Sequence, residues 1–166
     1  YEPIGQKSNN VHLKYLCDVM PSQREKAAKN FEKHIDYQPT LENSIFKVLE
    51  DKEVDVLINA TPDHWHAPGT WLALEAGKHV YVEKPCSHNP YEGELLVAYQ
   101  KHYNKVVQMG NQQRSSPESI EVIKAIHAGE IGNVYKATAF YNSSRGEVPV
   151  QKKASPPNGL DWELFQ

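Results

Sequence analysis

Cysteine is scarce in this 166-residue chain: Cys17 and Cys86 are the whole supply and stand at no metal-ligand spacing, so neither a disulfide framework nor a zinc site is indicated. No apolar run approaches the ~20 residues that a membrane span requires, which speaks against membrane insertion. An excess of positive charge is also missing. Eighteen Lys and Arg face 21 Asp and Glu, and a net charge of -3 offers no general attraction to nucleic acid or to an anionic membrane. There is no initiating Met, and the far end, Trp162-Glu163-Leu164-Phe165-Gln166, is apolar enough to read as the middle of a structure. The chain is therefore expected to be a segment of a longer protein, with any signal peptide out of view and the compartment open between a bacterial-type cytoplasm and periplasm. What is present, 39% hydrophobic residues with an ordinary charge fraction, describes a globular chain with one full core and little room for a second.

Two periodicities alternate along most of the length. Strand-like runs cover residues 13–17, 54–60, 79–82 and 106–109, and the second of these is apolar enough to expect cover on both faces. A helix is expected over about 22–34, opened by Ser22 with Glu25 completing a capping box. A short Ile35-Asp36-Tyr37 segment then leads to a helix through Ile45, Phe46, Val48 and Leu49. The next helix runs from about 66 to 76 and stops at Gly77. Asn89-Pro90-Tyr91-Glu92 opens another, with Leu95, Tyr99 and Tyr103 on one face. Ser116-Pro117 opens a last one carrying Ile120, Ile123 and Ile126, closed by Gly129.

Strand and helix alternating at this spacing predict parallel βαβ units, an α/β fold with a Rossmann-type doubly wound sheet. Right-handed crossovers bring the carboxyl ends of all the strands to one edge, where open sheets of this kind bind ligands. Asp18, Thr61-Pro62, Glu83-Lys84-Pro85 and Gly110-Asn111-Gln112 leave the strands on that edge. After Gly132 the pattern changes: residues 134–141 alternate as a half-exposed strand does, and 142–159 read as loop. This divides the chain into 1–132, a dinucleotide-binding domain incomplete at its front, and 133–166, the start of a second α/β domain with an open antiparallel-type sheet.

Asp18 stands where such folds place an acid that accepts the adenosine ribose hydroxyls, and a carboxylate there repels a 2'-phosphate, favouring NAD over NADP. A solvated loop Asp is the equal alternative, and nearby Arg24 would soften the preference. The phosphate-cradling Gly-x-Gly-x-x-Gly turn, due ~20 residues earlier, is absent; Pro3-Ile4-Gly5-Gln6 does not match it. In the strand order 3-2-1-4-5-6 the missing first strand belongs at the centre, and its loss exposes two apolar edges, so the absence reads as truncation. His64 and His66 lack a third ligand, and no metal is expected; Thr61, Pro62 and His66 either approach the nicotinamide side or form a plain turn. Lys84 directly after a buried strand needs partners for its ammonium, and partial desolvation would suit it to proton exchange with a hydroxyl. Glu83 can hold that ammonium or a ribose hydroxyl, and Pro85 fixes the turn; a surface ion pair is the bland alternative.

Ala60-Thr61-Pro62, His66, Ala76-Gly77-Lys78-His79-Val80 and Glu83-Lys84-Pro85, in that order, resemble the Gfo/Idh/MocA oxidoreductases, and the likeness runs from about Val11 to Phe165. The resemblance implies a Rossmann domain, a second domain that binds substrate and joins subunits into a homo-oligomer, and hydride transfer between NAD or NADP and a sugar or cyclitol carbon. It also implies that Lys84 contacts the reacting hydroxyl and the nicotinamide ribose, and that Glu83 orients the ribose. Gln112 would lie near the nicotinamide or simply start a helix, and Trp162 would wall cofactor or sugar or sit in the core. A histidine and an acid that complete the family's catalytic set would lie beyond Gln166. Two rival functions are expected within the same resemblance: an NAD-dependent glycosidase working by transient oxidation and elimination, and a non-catalytic nucleotide-sensing regulator. The intact Glu-Lys-Pro argues against both.

Overall fold

In the computed structural model, residues 4, 9–141 and 146–166 are described. Pro3, Gly5 and Gln6, and part of the expected loop after 141, lie outside them. The chain forms two compact units, one of residues 1–110 with 156–166 and one of residues 111–155. The dividing line expected near Gly132 thus falls inside the second unit, and the last residues belong with the first.

The first unit contains β1 (Tyr15–Cys17), α1 (Pro21–Phe31), β2 (Thr40–Glu42), α2 (Ile45–Glu50), β3 (Val56–Asn59), α3 (His66–Glu75), β4 (His79–Val82), α4 (Pro90–Tyr103), β5 (Val107–Met109) and α6 (Trp162–Phe165); α5 (Pro117–His127) lies in the second unit. All strand pairs are parallel. They form two sheets, β1-β2 and β3-β4-β5. These are the two flanks of the order 3-2-1-4-5-6, and among the described residues no strand stands between them.

Local chemistry explains most of the element ends. Asn89 caps α4 by accepting from the Glu92 N–H at 3.0 Å, and Asn104 ends that helix in the left-handed region at φ 51°. Gly77, at φ 75°, turns the chain from α3 into β4. The Ser22–Glu25 box does not form: Met20 is the N-cap, without a side-chain cap bond, and Pro21 takes the first turn, where its missing N–H costs nothing. After the Ile35-Asp36-Tyr37 segment comes β2 at Thr40–Glu42, a three-residue element with too little apolar pattern to stand out.

The core gathers Leu49, Ala73, Leu74, Val80 and Val82, with Tyr99 and Tyr103 of α4 packed against it. Burying a side chain the size of Leu74 or Val82 contributes about 1.5–3 kcal/mol. In-register partners share a face of the sheet, so Leu57, Val80 and Val107 line this core side. The other face of β3 is open: Val56 and Ile58 are 52% and 55% exposed, against the expectation of cover on both sides.

The amino ends of the strands are tied by a polar cluster. Lys14 Nζ lies 2.6 Å from Asp51 Oδ2, the Tyr15 hydroxyl donates to the same oxygen at 2.8 Å, and buried Lys78 donates to the Asp51 carbonyl at 2.6 Å. The hydrogen bond from Lys14, followed by those from the Glu53 N–H and Tyr15, lowers the Asp51 carboxyl to about 2.

In the second unit, Ser116 caps α5 by accepting from the Ser119 N–H at 3.2 Å, and Gly129 follows the helix at φ 86°. Residues 133–141 form no strand and are exposed, because a strand needs a ladder partner and none among the described residues pairs with them. No helix of the described residues is long and apolar enough to cross a membrane.

Candidate active site

Asn59 pairs with Val82, and Val82 with Met109, so β3, β4 and β5 end at the same level. The ladder continues one step further through Glu83 N–H to the Asn59 carbonyl at 2.9 Å and Gly110 N–H to the Val82 carbonyl at 2.7 Å. Thr61-Pro62 and Glu83-Lys84-Pro85 therefore leave the sheet side by side.

Behind them lies a buried polar network. Asn59, 2% exposed, interrupts an apolar strand, and a buried amide must find partners for both ends. Its Nδ2 donates to the carbonyls of His66 at 3.0 Å and Trp65 at 3.2 Å, while Oδ1 accepts the Thr61 hydroxyl at 2.7 Å. The Thr61 turn and the start of α3 are thus held to the end of β3. Asn59 is not among the residues that the sequence marks as a site; its one signal is a polar residue inside Val-Leu-Ile-Asn-Ala. Gly69 is equally committed, because a Cβ there would lie 2.8 Å from Asn59 Nδ2.

His66, expected toward the nicotinamide side, is turned inward and is 2% exposed. Its Nδ1 lies 2.6 Å from the Pro85 carbonyl oxygen and its Nε2 lies 2.8 Å from the Thr61 carbonyl oxygen. One ring therefore spans both turns. His64 faces elsewhere: its Nε2 and Trp65 Nε1 donate to the Phe165 carbonyl at 2.6 and 2.9 Å. Trp162 stacks on Phe165 with ring centroids 5.5 Å apart and stays partly exposed. The Asp161 N–H donates to the Val19 carbonyl at 3.1 Å, so the closing segment touches the carboxyl edges of both sheets.

Lys84 and Pro85 are exposed, and their peptide bond is cis. The partial desolvation expected for Lys84 is therefore not supplied by these residues. Glu83 is half-buried, and its Oε2 accepts from the Lys84 N–H at 3.2 Å. Asp18 is half-buried at the end of β1; its Oδ1 accepts from the Met20 N–H at 2.8 Å, and Arg24 donates to its carbonyl. Gln112 opens the Gln112–Ser115 turn of the second unit and is exposed.

These side chains suit two ends of a dinucleotide. A carboxylate stands at the close of β1 for ribose hydroxyls, and a lysine with an adjacent carboxylate stands at the close of β4. The sequence offers no glycine-rich turn for the pyrophosphate between them. The profile of the Gfo/Idh/MocA oxidoreductases, described as having an NAD-binding Rossmann fold, matches residues 1–111. The chain belongs to that family.

The Gfo/Idh/MocA relatives it resembles include a D-xylose 1-dehydrogenase (NADP(+)) of Hypocrea jecorina, 33% identical over 139 residues that span 80% of this chain and 36% of that protein. A levoglucosan dehydrogenase of Pseudarthrobacter phenanthrenivorans is 28% identical over 91% of this chain and 36% of its own. A glycosyl hydrolase family 109 protein of a Shewanella species is 27% identical over 79% and 29%. The chain thus spans about a third of the length of the curated relatives it matches. Apo scyllo-inositol dehydrogenase from Lactobacillus casei shares the fold at TM-score 0.67 and 20% identity, over 79% of this chain and 38% of that one.

Proposed function

We propose that the protein carrying this chain is an NAD(P)-dependent dehydrogenase acting on a hydroxyl-bearing carbon of a sugar, sugar derivative or cyclitol. The observation that carries this reading is the Glu83-Lys84-Pro85 turn, set level with the Thr61 turn on the carboxyl edge of a parallel sheet. The xylose and levoglucosan dehydrogenases among the relatives support a carbohydrate substrate.

Nicotinamide, when bound, supplies the hydride acceptor or donor; alignment and proton handling fall to the protein. Lys84 Nζ, in its neutral amine form, takes the hydroxyl proton as the alcohol is oxidised, and the ammonium so formed returns it in the reverse direction. Glu83 orients the nicotinamide ribose beside it, and Thr61 and Pro62 border the same end. Asp18 receives the adenosine ribose and favours NAD, with Arg24 as the residue that would tolerate NADP. Trp162 walls the substrate side. A homo-oligomer formed through a further domain accords with this reading.

The test is turnover by the full-length protein across a panel of aldoses, anhydrosugars and cyclitols, with NADH formation followed by absorbance. Lys84→Ala should lower kcat by about a hundredfold or more while NAD still binds. Near-normal turnover by that variant overturns the reading. A second reading, a glycosidase working by transient oxidation, is favoured by the family 109 relative. Aglycone release without net NADH would select it.

A further inference from the structure

We infer that His66 is a doubly protonated strut, a positioning residue that sets the turn carrying Lys84. The inference rests on the role assigned to Lys84 under the proposed function. It begins from an acceptor count. Both ring nitrogens of His66 face backbone carbonyl oxygens, Pro85 at 2.6 Å and Thr61 at 2.8 Å. A carbonyl oxygen only accepts, so each contact requires an N–H on the ring. A neutral imidazole has one N–H and would set a lone pair against the other oxygen at contact distance. The imidazolium satisfies both, and hydrogen bonds from a cationic donor are the short ones.

The surroundings hold the ring in this place. It is 2% exposed, so water does not replace either acceptor. The main chain of His66 is fixed as well, because Asn59 Nδ2 donates to its carbonyl and Gly69 closes against the same amide. No buried side-chain nitrogen or oxygen among the described residues lacks a partner, so the network is complete as it stands.

The two carbonyls belong to the two turns that flank the reacting end of the crevice. Thr61 follows β3, and Pro85 directly follows Lys84 after β4. Beyond the ladder bond from Glu83 to Asn59, the ring is a second, side-chain tie between these turns. It acts on Lys84 through the backbone of its neighbour and touches neither substrate nor cofactor. Losing it would leave the lysine attached but free to swing, and misplacement of about 1 Å is enough to cost a hundredfold in rate.

The experiment uses the full-length protein with isotope-labelled histidine, and the His66 ring signals are assigned by their loss in His66→Gln. Two ring N–H groups near neutral pH, with both nitrogens at imidazolium shifts, are the expected result. A single N–H beside an unprotonated nitrogen overturns the inference. His66→Gln, which can serve one carbonyl but not both, should lower kcat about tenfold to a hundredfold with NAD affinity and KM little changed. Wild-type kcat in a folded His66→Gln also overturns it. Failure of Lys84→Ala to lose turnover would instead overturn the function reading, and would leave the ring's protonation signature as found.

Discussion

A Cβ placed on Gly69 would lie 2.8 Å from the side-chain nitrogen of Asn59. That nitrogen is already committed to the carbonyls of Trp65 and His66, and the residue is buried, so the amide cannot retreat into solvent. Gly69 is here for space, since its backbone lies within a helix that any residue adopts.

Gly69→Ala is accordingly expected to destabilise the protein by about 1–3 kcal/mol, the ordinary cost of overpacking a filled site. Thermal unfolding of the full-length variant measures it. An unchanged midpoint would mean that the Asn59 amide gives way freely, and would weaken the case for a rigid network behind the turns.

With Asp18 on the adenosine ribose as proposed, Asp18→Ser should move cofactor choice away from NAD and toward NADP. Losing hydrogen bonds to a charged carboxylate costs about 1.5–3 kcal/mol, roughly a ten- to hundredfold rise in the Kd for NAD. Removing that charge also relieves repulsion of a 2'-phosphate beside Arg24. Titrating both cofactors against wild type and variant gives the answer, and an unaltered preference would put Asp18 outside the ribose site.

The Asp51 cluster predicts a response to acid. Because the folded carboxyl is held near 2, below its ordinary 3.8, its contribution is present above about 3.8 and is lost as pH falls toward about 2. Melting temperature against pH should therefore fall through that window in wild type, and Asp51→Asn should lower stability at neutral pH while flattening the step. A variant with the wild-type acid profile would place the stabilising charge elsewhere.

Trp65→Phe keeps the ring's bulk but removes one of the two donors on the Phe165 carbonyl. The loss is expected to be about 0.5–1.5 kcal/mol, felt locally. Amide exchange at residues 161–166 should quicken several-fold while that of α3 and β4 stays unchanged. Equal exchange in both proteins would assign the docking to the His64 donor and ring packing.

The parallel order of strands was legible because buried parallel strands and amphipathic helices carry different periods, and His79–Val82 matches its expected bounds residue for residue. The edge holding Glu83-Lys84-Pro85 followed from that order alone. What stayed hidden was non-local. Nothing in Val-Leu-Ile-Asn says that the Asn amide spans to the next helix, and nothing near His66 says that its ring faces inward. The docking of Trp162–Phe165 joins residues about a hundred positions apart, beyond the reach of any local pattern. Lys78 stands in the Ala-Gly-Lys-His-Val run, yet its ammonium is buried on the Asp51 carbonyl, where the long stem and the turn into β4 bring it.

The acceptor that fastens the closing helix is a main-chain oxygen, and a main-chain oxygen exists whatever side chain stands at position 165. Mutation therefore bears unequally on the two partners. Exchange at 165 alters packing but leaves the acceptor in place, whereas exchange at 64 or 65 deletes a donor outright. The tolerance to substitution at this junction is one-sided, with the freedom at the helix and the constraint at the turn.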